Sequence, residues 1–158
     1  MHLWLGLVTG LVIVIVSLTG CLYAFQDDIT PLIYKDRLFV EKPAGAQRLP
    51  LSSMKDIAVA AMSGEAELSR IIVPGPGDRT VIFAFDKYHE HAWSYAAYVE
   101  VNKTVFVDPY TGRITYIENT KWEFFNVVFW LHTSLLLGYD LGNPIITVSV
   151  YVTVFLLI

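Results

Sequence analysis

Apolar residues are unevenly spread along this chain. From Leu3 to Phe25 there is no charged side chain, and thirteen of those 23 positions are Leu, Ile, Val or Phe. As a helix rising 1.5 Å per residue the segment is roughly 34 Å long, enough for a hydrocarbon core of about 30 Å. Its apolar side chains favour insertion by roughly 4 to 8 kcal/mol before Ser and Thr are counted against them. Trp4 and Tyr23 stand where interfacial aromatics belong, and Asp27 and Asp28 stop the run. The other end, from Trp122 to Ile158, is equally apolar but is punctuated by Gly138, Asp140, Gly142, Asn143 and Pro144. These breakers predict a short apolar-faced helix over 122–138, lying at the interface with Trp122 and Trp130 at that depth. A second span begins at 144, and its fourteen residues from Ile145 reach only about 21 Å, as if the helix continued beyond the end.

Between these ends the pattern changes. Met54, Ile57, Ala58, Ala61 and Met62 recur at helical spacing after Pro50-Leu51-Ser52-Ser53, which offers a serine cap, and Gly64 closes the helix. Extended runs follow at Ser69–Val73, Arg79–Phe85 with Val81, Phe83 and Phe85 alternating, Trp93–Val101, Thr104–Val107 and Arg113–Glu118. Asp108-Pro109-Tyr110-Thr111-Gly112 has the residues of a turn joining antiparallel strands, and Asn102-Lys103 is a second hairpin candidate. The expected fold is a membrane protein whose transmembrane α-helices flank an extramembrane α+β domain, a helix packed on an antiparallel sheet. Its segments are a first transmembrane helix over 1–25, the α+β domain over 26–121, the interfacial helix over 122–138 and the start of a second transmembrane helix over 144–158.

Composition agrees with this division. The chain has 158 residues, is 54% hydrophobic and has a mean hydropathy of +0.50; all 11 Lys and Arg lie between Lys35 and Lys121. A net charge of −4 offers no basic surface for nucleic acid. The single cysteine, Cys21, excludes an internal disulfide. It ends the letters LTGC, a lipoprotein-like cleavage pattern, but the apolar run continues through Phe25 and no Lys or Arg precedes Lys35. A permanent helix is therefore the reading, with lipidation at Cys21 as its alternative.

Histidines carry the candidate chemistry. On a helix His2, Gly6, Gly10, Ile13, Ser17 and Gly20 share a face roughly 80° wide. An imidazole beside small residues suits a planar haem; alternatively Gly6 and Gly10 form a close helix-packing surface and His2 lies in water. His132 sits among Val128, Phe129, Leu135 and Leu136 at helical spacing. An imidazole in such a setting requires a polar partner, either a backbone carbonyl or headgroup, or a metal. The two histidines stand at opposite ends of a span, whereas two axial nitrogens on one iron are only ~4 Å apart, so they would serve two separate sites. His89 and His91 would face one side of a strand with Glu90 opposite, either as polar side chains of an exposed loop or as a weak divalent-metal site. No catalytic motif of a hydrolase or nucleotide-binding enzyme is present, and orientation cannot be read from charge.

The stretches HLWLGLVTGLVIVIVSLTGCLYAF, VFVDPYTGRI and FWLHTSLLLGYDLGN, in this order and spacing, resemble the PepSY-associated transmembrane family of bacterial inner-membrane proteins. The resemblance implies a periplasmic PepSY domain and an inner-membrane location. It also implies membership of a group tied to iron uptake and transmembrane electron transfer, including haem-containing reductases of ferric siderophores. On that resemblance His2 and His132 are expected as axial ligands of haem b, with Gly6 and Gly10 packing on its face. The lipid bilayer, a ferric siderophore, an electron donor and further helices or subunits are the expected partners. The alternative is a membrane-anchored module without catalysis that binds a peptide, peptidase or partner protein.

Overall fold

The computed structural model describes the backbone of residues 2–158 and the side chains of residues 3–158. In chain order the elements are α1 (His2–Ala24), α2 (Gln26–Ile33), α3 (Lys35–Leu38), α4 (Leu51–Met62), β1 (Glu67–Ile72), β2 (Val81–Tyr88), α5 (Tyr95–Tyr98), β3 (Val99–Val107), β4 (Ile114–Glu118), α6 (Phe124–Ser134) and α7 (Tyr139–Leu157). They form two compact units. One comprises residues 1–27, 89–99 and 122–158, and the other residues 28–88 and 100–121.

The second unit is built on a four-stranded sheet in the order β1-β2-β3-β4; β1–β2 and β3–β4 pair antiparallel. Val81, Phe83 and Phe85 of β2 and Val105 and Val107 of β3 alternate toward one face and are at most 1% exposed. Met54, Ala58 and Met62, four residues apart on α4, cover them. Each buried methionine contributes roughly 1.5–3 kcal/mol of apolar burial. The Asp108–Gly112 turn joins β3 to β4 as its composition predicts. The Asp108 carboxylate accepts from Tyr110 N and Thr111 Oγ1 at 2.8 and 2.6 Å, and Gly112 takes φ +72°, which favours glycine.

Three expectations for this unit and its flanks are corrected. Asn102 and Lys103 form no hairpin but lie inside the unbroken strand β3, held there by pairing that a two-residue polar step does not interrupt. The run from Trp93 is not a strand until Val99, because the Ser94 side chain caps α5 by accepting from Ala97 N. Ser52 and Ser53 do not cap α4: Pro50 is the N-cap without a side-chain bond, which places both serines inside the first turn.

The first unit is helical. α1 packs on α6 and α7, and α6 on α7. Leu3–Ala24 has a mean hydropathy of 2.4 and Tyr139–Leu157 of 1.5, and few residues of either helix are buried. Core helices of water-soluble proteins hide such faces; these two leave most of theirs bare, as lipid-facing helices do. The second apolar helix begins at Tyr139, not after Pro144, so its 19 residues rise about 28 Å. Pro144 removes only the bond to the Asp140 carbonyl, in the exposed opening turns of α7, where Asp140 also complements the helix dipole. α6 ends earlier than expected, at Ser134, since Leu135 and Leu136 both turn to positive φ.

Candidate functional site

The site begins with residues that let α6 approach α1. At Gly20 a Cβ would lie 2.9 Å from His132 Cε1, so the absent side chain is the space the imidazole fills. His132 Nδ1 is 2.9 Å from the Val16 carbonyl oxygen and 3.4 Å from Thr19 Oγ1. Thr19 itself is buried and donates to the Ile15 carbonyl at 2.7 Å, leaving its oxygen as the weaker contact. The Val16 carbonyl accepts, so Nδ1 carries the proton and Nε2 carries the lone pair. The partner that an apolar setting demanded of His132 is thus a backbone carbonyl. The same kind of bond orients metal-ligating imidazoles, and Nε2, 3.8 Å from the Gly20 Cβ position, is the nitrogen left to act as a donor atom. The donor chemistry of His132 fits an axial ligand.

The predicted small-residue face of α1 is divided in its use. Gly20 receives His132, a Cβ on Gly6 would meet Leu156 Cδ1 of α7 at 3.9 Å, and nothing stands within 4 Å of the Cβ position at Gly10. Ser17 is exposed. The backbone of His2 opens α1, while its side chain lies outside the described residues. Val16 is 14 residues further along the same helix, so His132 engages α1 about 21 Å from the level of His2. One iron cannot join them within a chain. A recess of about 400 Å³, lined by Trp4, Leu5, Val8 and Thr9, opens on α1 roughly a third of a turn away from the glycine face.

Around α6 an aromatic cluster fixes the helix. Tyr95 is 2% exposed, its ring 5.2 Å from that of Trp130 and 5.6 Å from that of Trp122, and its hydroxyl accepts from Asn126 Nδ2 at 2.9 Å. Trp130 therefore packs against Tyr95 and Tyr98 and is a tether of α6, a role that its apolar surroundings in sequence did not reveal. Tyr95→Phe is expected to cost about 1 kcal/mol and Tyr95→Ala about 3–5 kcal/mol, read from thermal unfolding in detergent.

His89 and His91 are not on a strand. They follow β2 in a loop where His91 has φ +63° and its Nδ1 lies 3.9 Å from the Asp140 carboxylate, both side chains largely exposed. Among the described residues no three His, Cys, Asp or Glu side chains converge as metal ligands.

The sequence matches the PepSY-associated TM region over residues 1–158. The chain belongs to this family. Comparison with curated proteins gives no match. Membership of the PepSY-associated TM family and the two bare apolar helices agree in making this a membrane protein in contact with the lipid bilayer. The His132–Val16–Gly20 contact is then a helix-to-helix junction inside the membrane portion of a PepSY-associated protein.

Proposed function

We propose that this protein is a haem-binding component of transmembrane electron transfer in the bacterial inner membrane, with its α+β unit in the periplasm and a ferric siderophore as terminal acceptor. The observation that carries the reading is His132: its Nδ1 is committed to the Val16 carbonyl, which leaves Nε2 as a ligand atom within an apolar helix junction. A b-type haem bound there supplies one-electron exchange between ferrous and ferric iron. His132 would ligate it, while Val16 orients the ring and Gly20 leaves the ring room. His2 is proposed as the ligand of a second haem at the far end of α1, with Gly6 and Gly10 beside it, and each haem takes its other ligand from another segment or subunit. The electron donor belongs to the partners this reading requires.

A second reading is favoured by the same contact. His132 also fastens α6 to α1, so that the helices would serve as an anchor for an α+β unit that binds a peptide, peptidase or partner protein. The absorption spectrum of the detergent-purified full-length protein separates the two. We expect a Soret band that falls by half or more in His132→Gln, whose amide still donates toward the Val16 carbonyl and preserves thermal stability. A protein without a Soret band, or one whose band is unchanged in His2→Ala and His132→Gln, overturns the haem reading and leaves the anchored module.

A further inference from the structure

The segment between β2 and β3 folds with the helices: residues 89–99 belong to the same compact unit as α1, α6 and α7. Its surroundings can be placed along α1. The rings of Tyr23 and Phe129 are 5.4 Å apart, and three residues further along α6 His132 meets the carbonyl of Val16. α6 thus runs beside α1, and the imidazole of His132 reaches from Gly20 to the carbonyl of Val16, about 12 Å along the helix from Ala24. After Ser134 the chain reverses through Leu135 and Leu136 at φ 55° and 58°, an irregular turn that must return to Gly138 before α7 starts.

Gly142 of α7 meets Ser134, so the turn lies within about one helical turn of the Tyr139 end of the span, and irregular backbone so close to hydrocarbon is tolerated only when its polar groups are paired, each unmet group costing several kcal/mol. Leu135 N, Leu136 N and Leu137 N bond back to Leu131 O, Trp130 O and Ser134 O, which leaves the Leu136 carbonyl and Gly138 N. The remaining closure comes from the β2–β3 segment. Tyr95 N donates to the Leu136 carbonyl and Gly138 N to the Trp93 carbonyl, both at 2.9 Å, with Ser94 bridging Leu137. A Cβ on Gly138 would lie 2.9 Å from the Ala92 carbonyl carbon, so the two backbones are in direct contact.

This contact fixes the level of Trp93. It is bonded to the residue before Tyr139, where the second apolar span begins, and its side chain is 71% exposed. Tyr139, also exposed, directly follows the bonded Gly138, and the neighbouring His89, Glu90 and His91 are polar and exposed. A bare indole at the mouth of a lipid-facing helix, flanked by polar residues, has the chemistry of the headgroup layer.

We propose that residues 89–98 are a membrane-interface element: Trp93 inserts among lipid headgroups, and the backbone of residues 93–95 seals the Leu135–Gly138 turn against the bilayer. The partner is the lipid surface, continuous with the bare faces of α1 and α7. The proposal is independent of haem.

The test uses the full chain with Cys21→Ser, a single spin label at Trp93→Cys, and nanodiscs of phosphatidylcholine and phosphatidylglycerol. Labels at Leu11, exposed within α1, and at Lys55, exposed on α4, calibrate lipid and water. Collision with oxygen relative to a water-soluble nickel chelate is expected to be several-fold higher at position 93 than at 55 and lower than at 11. A ratio equal to that at Lys55 overturns the proposal, as does one equal to that at Leu11, which would bury the loop in hydrocarbon. Trp93 is exposed and makes its hydrogen bond through the backbone, so the substitution itself leaves folding intact.

Discussion

Gly142→Ala is expected to destabilise the helical unit by about 2–3 kcal/mol, the upper range for forcing extra volume into a packed site. A Cβ at this position would stand 2.5 Å from the Ser134 carbonyl carbon and 2.6 Å from Ser134 Cα. These are backbone atoms at the end of α6, so no side-chain rotation relieves the overlap. Helix propensity opposes the effect, since alanine is favoured over glycine inside a helix by about 1 kcal/mol. The steric overlap outweighs that gain. Gly10→Ala in the haem-free protein is the control, because no protein atom lies within 4 Å of its Cβ position and only the propensity gain remains. Thermal unfolding in detergent, followed by circular dichroism, should show a clear fall in Tm for Gly142→Ala and an unchanged or higher Tm for Gly10→Ala. Equal midpoints would mean that α6 and α7 are not in this contact.

Gly142 also shows why part of the molecule was hidden in the sequence. Gly138, Gly142 and Pro144 look like helix breakers, and by local preference they are. Yet Gly138 is the N-cap of α7, with its carbonyl accepting from Leu141 N and Gly142 N, and Gly142 is where α7 crosses Ser134. A glycine that permits close packing and a glycine that ends a helix have the same local signature; the difference lies in a partner elsewhere in the chain. Asn102-Lys103 failed for the converse reason, since strand pairing outweighed a polar pair that would suit a turn. What local chemistry governs was readable: the charge-free span of α1, the four-residue spacing of Met54, Ala58 and Met62, the alternation of Val81, Phe83 and Phe85, and the Asp108–Gly112 turn.

The candidate site divides in the same way. That His132 needs a polar partner follows from its apolar neighbours, and that His2 and His132 are far apart follows from the length of α1. The identity of the partner does not, because Val16 is 116 residues away in sequence and is reached only once α6 lies along α1. Nothing about Trp93 in sequence separated it from a strand residue. Its role is visible only through the backbone bonds of residues 93–95 to the turn after α6.

A shielded ion pair, unlike the glycine contact, lies in the α+β unit. Arg37 on α3 is only 9% exposed, pairs with Glu118 at the end of β4, and lies 3.3 Å from the ring centroid of Tyr34 and 5.3 Å from that of Tyr116. Side-chain exposures of 10% and 12% for the two charged partners leave little room for water to screen them. Arg37→Ala leaves the Glu118 carboxylate shielded without its guanidinium, and is expected to cost about 3–5 kcal/mol. Arg37→Lys keeps the charge but gives up the planar stacking on Tyr34, so a smaller loss, about 1–2 kcal/mol, is expected. The double variant Arg37→Met, Glu118→Leu removes both charges and retains most of the volume, and should recover much of the stability lost in Arg37→Ala. Pulse proteolysis in urea on the full-length protein, scored on fragments from residues 28–121, reads all three. Recovery in the double variant would identify the cost as that of separating the Arg37–Glu118 pair; a double variant as unstable as Arg37→Ala would assign it to lost contact with the Tyr34 ring.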